Sequence, residues 1–347
     1  MGVIKRQSIK MSMVSYLGTA IAAFSTLFIY PLDKEIYGYA LFLVSTATFL
    51  YPFASLGVNT LTVRYFTVFK NEQRNHHGFL GLLLMAALLS CGIFVLLLLA
   101  FQSSAEQLMQ ALGLNAELVF ENIGYIIALL LLVTVMSILT NHSSNFMRVV
   151  IPSALTDNLW FKIALPTAIL LFVYAGMSAS AFAWSVVGYY GLGVLALAYY
   201  LHTLGALNLK PNFKFVHKKL LREMADFALY GMLGMIGSVL AFRIDLFMVP
   251  TMLDLNSNGI YGIALFIGNS IELPTRALSN IASPIIAQAW KENRVEEIRT
   301  IYTKASLNLT IAGTFLFLLI WMSLDDLLQL TRDYEQLKQG TTVVLLV

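Results

Sequence analysis

Charged residues are scarce in this 347-residue chain, and their scarcity excludes most classes of protein. Only 12% of the residues are charged and 58% are hydrophobic, whereas soluble domains average about 25% and about 45–50%. So few charges could not cover the surface of a soluble fold, and so apolar a chain is not disordered. The single cysteine, Cys91, excludes an intrachain disulfide and a cysteine metal cluster. The composition therefore predicts an all-α polytopic membrane protein.

Sequence motifs of soluble enzymes are missing as well. The chain has no P-loop, no His-Glu-x-x-His motif and no Gly-x-Ser-x-Gly motif. It also has no basic, aromatic-interleaved module of the kind that binds nucleic acid. We therefore predict no catalytic residue, no metal, no cofactor and no nucleic-acid partner.

Apolar stretches of about 20 residues, the length that crosses a bilayer, recur along the chain. They predict nine transmembrane spans at 11–30, 39–61, 78–101, 119–140, 153–175, 178–201, 226–252, 259–282 and 305–323. A tenth opens at Thr341 and is cut off at Val347, so the C-terminal part of the protein is expected to be missing. Lys5, Arg6 and Lys10 precede the first stretch as in a signal peptide, but that stretch is long enough to span.

The placement of Lys and Arg predicts the orientation of these spans. With the N-terminus in the cytosol, 16 of the 22 Lys and Arg residues fall in cytosolic segments. Those segments are 1–10, 64–77, 141–152, 202–223 and 284–304. In the last of them, apolar residues between Pro284 and Ser306 recur at helical spacing among charged ones. This pattern predicts an amphipathic helix on the cytosolic interface.

The sequence also resembles itself. Ile36-Tyr-Gly-Tyr-Ala-Leu-Phe-Leu43 returns as Ile260-Tyr-Gly-Ile-Ala-Leu-Phe-Ile267, and Pro31 matches Pro250 upstream. The offset of six spans gives both halves the same orientation, related by an axis along the membrane normal. Parallel repeats of this kind are typical of transporters with a site between the halves. We predict an N-terminal bundle at 1–203, a basic cytosolic linker at 204–222 and an incomplete C-terminal bundle at 223–347.

Ionisable residues inside spans are costly and usually face a cavity or a partner. Arg243 lies near the predicted midplane of the seventh span, where it either meets an anionic substrate or forms an interhelical ion pair. Asp245 points to another face, and either forms a salt bridge or binds a coupling cation. Glu272 and Arg276 share one helix face at i, i+4, as a local ion pair or as part of the cavity.

Three further cations are candidates for binding an anion. Lys162 either snorkels to the interface or lines the cavity. Arg64 and Arg148 lie at cytosolic span ends, where they either set the topology or form an entrance that collects anions.

Several segments together carry a resemblance to a known family, namely Tyr37-Gly38, Arg243-Ile-Asp245-Leu-Phe-Met, Gly259-Ile-Tyr-Gly-Ile-Ala264, Leu273-Pro274, Pro284 and the polar stretch Lys291–Lys304. In these segments the chain resembles the Wzx-type O-antigen and capsule flippases of the multidrug/oligosaccharidyl-lipid/polysaccharide exporter superfamily. The resemblance runs through nearly the whole chain, but these motifs identify the superfamily better than the substrate.

The resemblance implies a MATE-like architecture of two six-helix bundles around a central cavity, of which about three or more final spans are missing here. It implies a transporter in the cytoplasmic membrane that flips an undecaprenyl-diphosphate-linked oligosaccharide outward for surface polysaccharide synthesis. Arg243 matches the family's basic residue before the Asp of span 7, and Arg276 is a second candidate. Other polysaccharide-assembly membrane proteins are possible partners.

Three alternative functions stay open. A drug or cation exporter of the same superfamily would favour carboxylates in the cavity, and Arg243 argues against it. A lipid II flippase usually carries several arginines in its first bundle, whereas spans 1–3 have none near the midplane. A membrane polysaccharide polymerase would be an enzyme with a substantial outer loop, and this chain shows only short loops.

Overall fold

The computed structural model describes residues 2–71, 76–146, 148–275, 278, 282, 285–286, 289–290, 292–331 and 333–346, with the backbone alone at 2–9 and 157. The described part is helical and contains no strand. Its α-helices are α1 Gly2–Phe28, α2 Lys34–Ser55, α3 Val58–Arg64, α4 Phe66–Phe69, α5 Phe79–Ala100, α6 Gln102–Ala111, α7 Ala116–Glu121, α8 Ile123–Ser144, α9 Val150–Ser153, α10 Trp160–Ala175, α11 Ala179–Thr203, α12 Lys218–Phe242, α13 Asp245–Met252, α14 Leu255–Asn269, α15 Val295–Gln329, α16 Tyr334–Leu337 and α17 Thr341–Leu346. The predicted all-α membrane architecture is confirmed.

Eight helical segments of the described residues are long and apolar enough to cross a membrane. They match the predicted spans except the one at 259–282. There, α14 has only 15 residues and gives way to a 3-10 turn at Ser270–Glu272. The Ser270 hydroxyl donates to the carbonyl of Phe266 one turn back, a bond that bends helices. The chain is thus helical from Leu255 to Thr275 with this 3-10 turn inside it, and most of the remaining positions lie outside the described residues, so the span at 259–282 stays a prediction.

Two other predicted spans are interrupted. The stretch predicted as 39–61 is split into α2 and α3, because Leu56 and Gly57 have φ of 47° and 72°, which the right-handed helix does not allow. The stretch predicted as 226–252 is split into α12 and α13 at Arg243 and Ile244, where Arg243 has φ −142°. Hydropathy does not register such breaks, because the residues on both sides remain apolar.

The predicted amphipathic surface helix is also corrected. From Val295 onward its residues belong to α15, which continues for 35 residues through the predicted span 305–323. The reason is local, since no Pro or Gly stands between Arg294 and Gly313 to end the helix. At the other end of the chain, α17 begins at Thr341, where the tenth helix was predicted to open.

The chain forms two compact units, Lys34–Gly259 and Met1–Asp33 with Ile260–Val347. In the larger unit α8 packs against α2, α5 and α11, and α12 packs against α2 and α3. Its core contains the fully buried side chains of Phe42, Phe69, Phe79 and Phe182. In the smaller unit, Gly340 lies against Ile260 and Ala264, at the start of α17. The division into bundles at 1–203 and 223–347 stays a prediction.

The first part of the predicted basic linker belongs to the larger unit and packs on the start of α5. The backbone N–H of Gly81 donates to the carbonyl of Asn208 at 3.2 Å. A side chain at either of two glycines would collide with the linker backbone. An added Cβ at Gly78 would lie 2.1 Å from the Lys210 carbonyl oxygen, and one at Gly81 would lie 2.3 Å from the Leu209 carbonyl oxygen. The linker is thus fixed to the start of α5 through backbone contacts.

The first turns of α2 and α14 cross at backbone contact distance. A Cβ on Gly38 would lie 1.8 Å from the carbonyl oxygen of Leu255, and one on Gly259 would lie 2.0 Å from that of Lys34. Each glycine thus meets the carbonyl four residues before the other glycine. We call this contact the glycine crossing. It lies at the N-terminal ends of the two helices that carry the repeated Tyr-Gly motif.

Candidate functional site

The break between α12 and α13 places Arg243 outside regular helix. Its backbone N–H still donates to the carbonyl of Val239 at 2.9 Å, and its side chain is exposed. Interrupted helices in membrane proteins occur where the backbone lines a cavity or is covered by protein. In transporters they commonly form the substrate site.

A serine on α2 holds this break in place. Pro250 has no N–H, so the carbonyl of Leu246 lacks the donor that a regular helix would supply four residues later. The buried hydroxyl of Ser45 donates to that carbonyl instead, at 2.9 Å. The rings of Phe49 and Phe247 stack beside it with centroids 4.8 Å apart. The start of α13 is thereby fixed against α2.

The contact with Ser45 also gives the depth of Arg243. Ser45 comes eleven residues after Lys34 in the 22-residue α2, which is about 17 Å along a helix of about 33 Å. Arg243 is three residues from Leu246, the partner of Ser45. It therefore lies close to the middle of α2, and its position at the membrane midplane stays a prediction.

Asp245 is the first residue of α13 and is half-buried. A carboxylate in a first turn interacts favourably with the positive end of the helix dipole. This position supports a structural role for Asp245, and its role in binding a coupling ion stays a prediction.

Arg64 lies at a different level from Arg243. It is the exposed last residue of α3, and its guanidinium lies over the ring of Phe227 at 5.7 Å from the centroid. Phe227 is the tenth residue of α12 and Arg243 follows its last residue, so the two are sixteen residues apart, or about 24 Å at 1.5 Å per residue. A single diphosphate does not reach both in this conformation. Arg148 is exposed between α8 and α9, and the entrance role of Arg64 and Arg148 stays a prediction.

Lys162 lies in the first turn of α10 and is half-buried. Its neighbour Phe161 lines an apolar cavity of about 170 Å³ between α2, α10 and α11. The ring of Phe161 packs on that of Tyr190 with centroids 4.1 Å apart. Lys162 thus stands beside an apolar cavity.

The remaining predicted residues belong to the smaller unit. Glu272 is exposed at the end of the 3-10 turn that follows α14. Arg276 lies outside the described residues, so the predicted pair of Glu272 and Arg276 stays a prediction. Among the described residues, no group of three or more His, Cys, Asp and Glu side chains is placed to hold a metal ion.

Sequence reasoning missed a polar cluster at the junction of α2, α3 and α8. The Tyr51 hydroxyl donates to Ser137 Oγ at 2.9 Å, and Asn59 Nδ2 donates to the same oxygen at 3.3 Å. These residues are uncharged and lie in apolar stretches, so the hydropathy predicts ordinary transmembrane spans there. The signal that could have found them is Gly57 followed by Asn59 inside an apolar run.

Comparison with known proteins identifies the family and the fold. The family described as polysaccharide biosynthesis protein matches residues 6–291. No curated protein matches the chain. Among solved structures, MATE in the bent conformation is 14% identical with a TM-score of 0.56, and the alignment covers 99% of this chain and 79% of that one.

Two further structures have the same fold. A MOP superfamily transporter from Pyrococcus furiosus is 16% identical with a TM-score of 0.55, covering 99% of this chain and 77% of that one. MATE in complex with MaD3S is 14% identical with a TM-score of 0.52 over the same shares. The chain therefore belongs to the polysaccharide biosynthesis protein family and has the fold of MATE and MOP-superfamily transporters.

Proposed function

We propose that this protein flips a polyprenyl-diphosphate-linked oligosaccharide from the cytosolic to the outer leaflet of the cytoplasmic membrane by alternating access. Family membership supports a role in polysaccharide biosynthesis, and the membrane fold supports transport rather than catalysis. The observation that carries the proposal is Arg243, a cation at a helix break beside the middle of α2.

Arg243 suits the diphosphate of such a lipid. A guanidinium donates two parallel hydrogen bonds to phosphate oxygens, and charge-assisted bonds of this kind are about twice as strong as neutral ones. The attraction is greater in a cavity of low dielectric than at a wet surface. Arg64 and Arg148 would collect the anion at the cytosolic entrance, and Lys162, Glu272 and Arg276 remain candidates for later steps.

Native mass spectrometry of the mildly purified full-length protein tests this assignment. We expect the wild type to retain a diphosphate-linked polyprenyl sugar and Arg243→Ala to lose it. The loss of charge-assisted hydrogen bonds worth about 1.5–3 kcal/mol corresponds to about 10- to 150-fold in affinity. Arg243→Lys should retain part of the lipid, because lysine keeps the charge without the planar donor pair.

Arg299→Ala is the matched control, because Arg299 is also an exposed arginine and lies on α15. It should retain the lipid as the wild type does. Full retention of the lipid by Arg243→Ala would remove Arg243 from the site. A wild type that binds organic cations and no lipid-linked sugar would favour the drug exporter instead.

A further inference from the structure

Four buried oxygen atoms at the junction of α2, α3 and α8 have no hydrogen-bond partner among the described residues. They are Ser55 Oγ, Asn59 Oδ1, Thr62 Oγ1 and Thr140 Oγ1. Ser55 is only 1% exposed and Thr62 is fully buried. Buried polar atoms are nearly always paired, and a cluster of unpaired ones requires a water or an ion to explain it.

The contacts around Asn59 show why its oxygen is left over. Asn59 Nδ2 and the Tyr51 hydroxyl both donate to Ser137 Oγ, which fills the two acceptor positions of that hydroxyl. The amide is therefore held with its nitrogen toward α8 and its oxygen away from Ser137. Ser55 follows Tyr51 by one turn of α2, on the same face of the helix.

The backbone adds a second feature at the same place. α2 ends at Ser55, and the left-handed residues Leu56 and Gly57 separate it from α3. A helix C-terminus carries partial negative charge on its last carbonyl groups. Ser137 lies seven residues before the end of α8, or about 10 Å inside that helix. The negative end of α2 is therefore inside the membrane-spanning part of the protein.

We propose that this junction binds a sodium ion. Its ligands would be Asn59 Oδ1, the hydroxyls of Ser55 and Thr140, and carbonyl oxygens from the end of α2. Hard cations take oxygen ligands, and divalent ones are typically bound through carboxylates. The side-chain oxygens of this cluster are all uncharged, which suits a monovalent ion. Ends of interrupted helices coordinate sodium in other transporters.

The site is placed to affect the packing of α12. A Cβ on Gly57 would lie 2.0 Å from the carbonyl oxygen of Ala228, and one on Gly231 would lie 2.5 Å from Thr60 Oγ1. The backbone of the break thus directly contacts α12, which leads to Arg243. An ion that fixes the break would also fix this contact. The role as a coupling ion depends on the proposed transport function, whereas ion binding does not.

Thermal unfolding of the purified full chain in detergent tests the site. The chain is melted in sodium chloride and in potassium or choline chloride at equal ionic strength, and binding of radioactive sodium is measured in parallel. We expect sodium alone to raise the melting temperature of the wild type, because a ligand stabilises the state that binds it. Asn59→Ala and Thr140→Val should melt alike in all three salts.

Two further variants sharpen the test. Thr48→Val is the matched control, because the Thr48 hydroxyl donates to the Val44 carbonyl of its own helix, and it should keep the sodium effect. Ser137→Ala removes a positioning residue and should weaken sodium binding about 10- to 100-fold, as changes behind metal ligands do. If Asn59→Ala does not fold, the sodium-dependent melting and sodium binding of Thr140→Val and Ser137→Ala test the site.

Equal melting of the wild type in every salt would overturn the site and leave a water-filled junction. Sodium stabilisation that survives in both Asn59→Ala and Thr140→Val would also overturn it. Lipid binding tests the transport function separately. Sodium binding without a co-purified lipid would leave the ion site standing and remove its coupling role, and the reverse result would remove the site alone.

Discussion

At the scale of single residues, Ser45 replaces a hydrogen bond that Pro250 cannot make. We expect Ser45→Ala to leave the Leu246 carbonyl without this donor and to lower the free energy of unfolding by about 1–3 kcal/mol. Thermal or denaturant melting in detergent measures the loss. Ser90→Ala is the control, because Ser90 is also buried but donates to the Ala87 carbonyl within its own helix, and it should cost clearly less.

A double-mutant cycle separates this explanation from a simple packing effect. Pro250→Ala restores the N–H that a regular helix directs at the Leu246 carbonyl. Ser45→Ala should therefore be less costly in the Pro250→Ala background than in the wild type, with a coupling energy of about 0.5–3 kcal/mol. Additive effects of the two substitutions would show that Ser45 does not replace the missing donor.

These two residues also show what sequence can say at this scale. Arg243 was found from the sequence because a charge inside an apolar span is costly wherever its partner lies. Ser45 and Asn59 were not found, because an uncharged polar residue is common in spans. Their roles depend on partners 201 and 78 residues away in the sequence.

At the scale of helices, the glycine crossing has no room for a methyl group. We expect Gly38→Ala to destabilise the protein by about 1–3 kcal/mol or more, because the added Cβ would overlap the Leu255 carbonyl and force α2 and α14 apart. Gly92→Ala is the matched control. Apart from the adjacent backbone of α5 itself, no atom lies within 4 Å of a Cβ at Gly92, so that change should be neutral or stabilise by up to about 1 kcal/mol.

Melting temperatures of the two variants, measured side by side, decide this prediction. If Gly38→Ala is as stable as Gly92→Ala, the helices cross at a greater distance than described. The sequence alone does not distinguish Gly38, which lies at the crossing, from Gly92, which does not, since both lie in apolar stretches. Helix lengths follow from local residues, as the uninterrupted α15 shows, but helix crossings and breaks depend on what packs beside them.

At the scale of the whole molecule, composition and hydropathy were enough to predict the membrane fold and most of its spans. The helix breaks at Gly57 and Arg243 could not be predicted from the sequence, because a break needs only one or two residues outside helical geometry and leaves the hydropathy unchanged. The candidate site was predicted only in part for the same reason. Arg243 was placed by its charge, whereas the polar junction required the packing of three helices.

Orientation is the remaining prediction at this scale, and the single cysteine makes it testable. Cys91 is fully buried, so a Cys91→Ala background removes the natural thiol with little change in volume. Phe213 in the linker and Leu112 after α6 are exposed. Because most Lys and Arg residues fall on the predicted cytosolic side, Phe213→Cys should face the cytosol and Leu112→Cys the outside.

An impermeant maleimide distinguishes the two positions. In intact cells it should label Leu112→Cys and leave Phe213→Cys unlabelled, and in inverted membrane vesicles the pattern should reverse. The opposite pattern would place the N-terminus outside. Arg64 and Arg148 would then lie on the outer side of the membrane, where they could not collect a lipid-linked sugar made in the cytosol, and the direction of the proposed transport would fail with them.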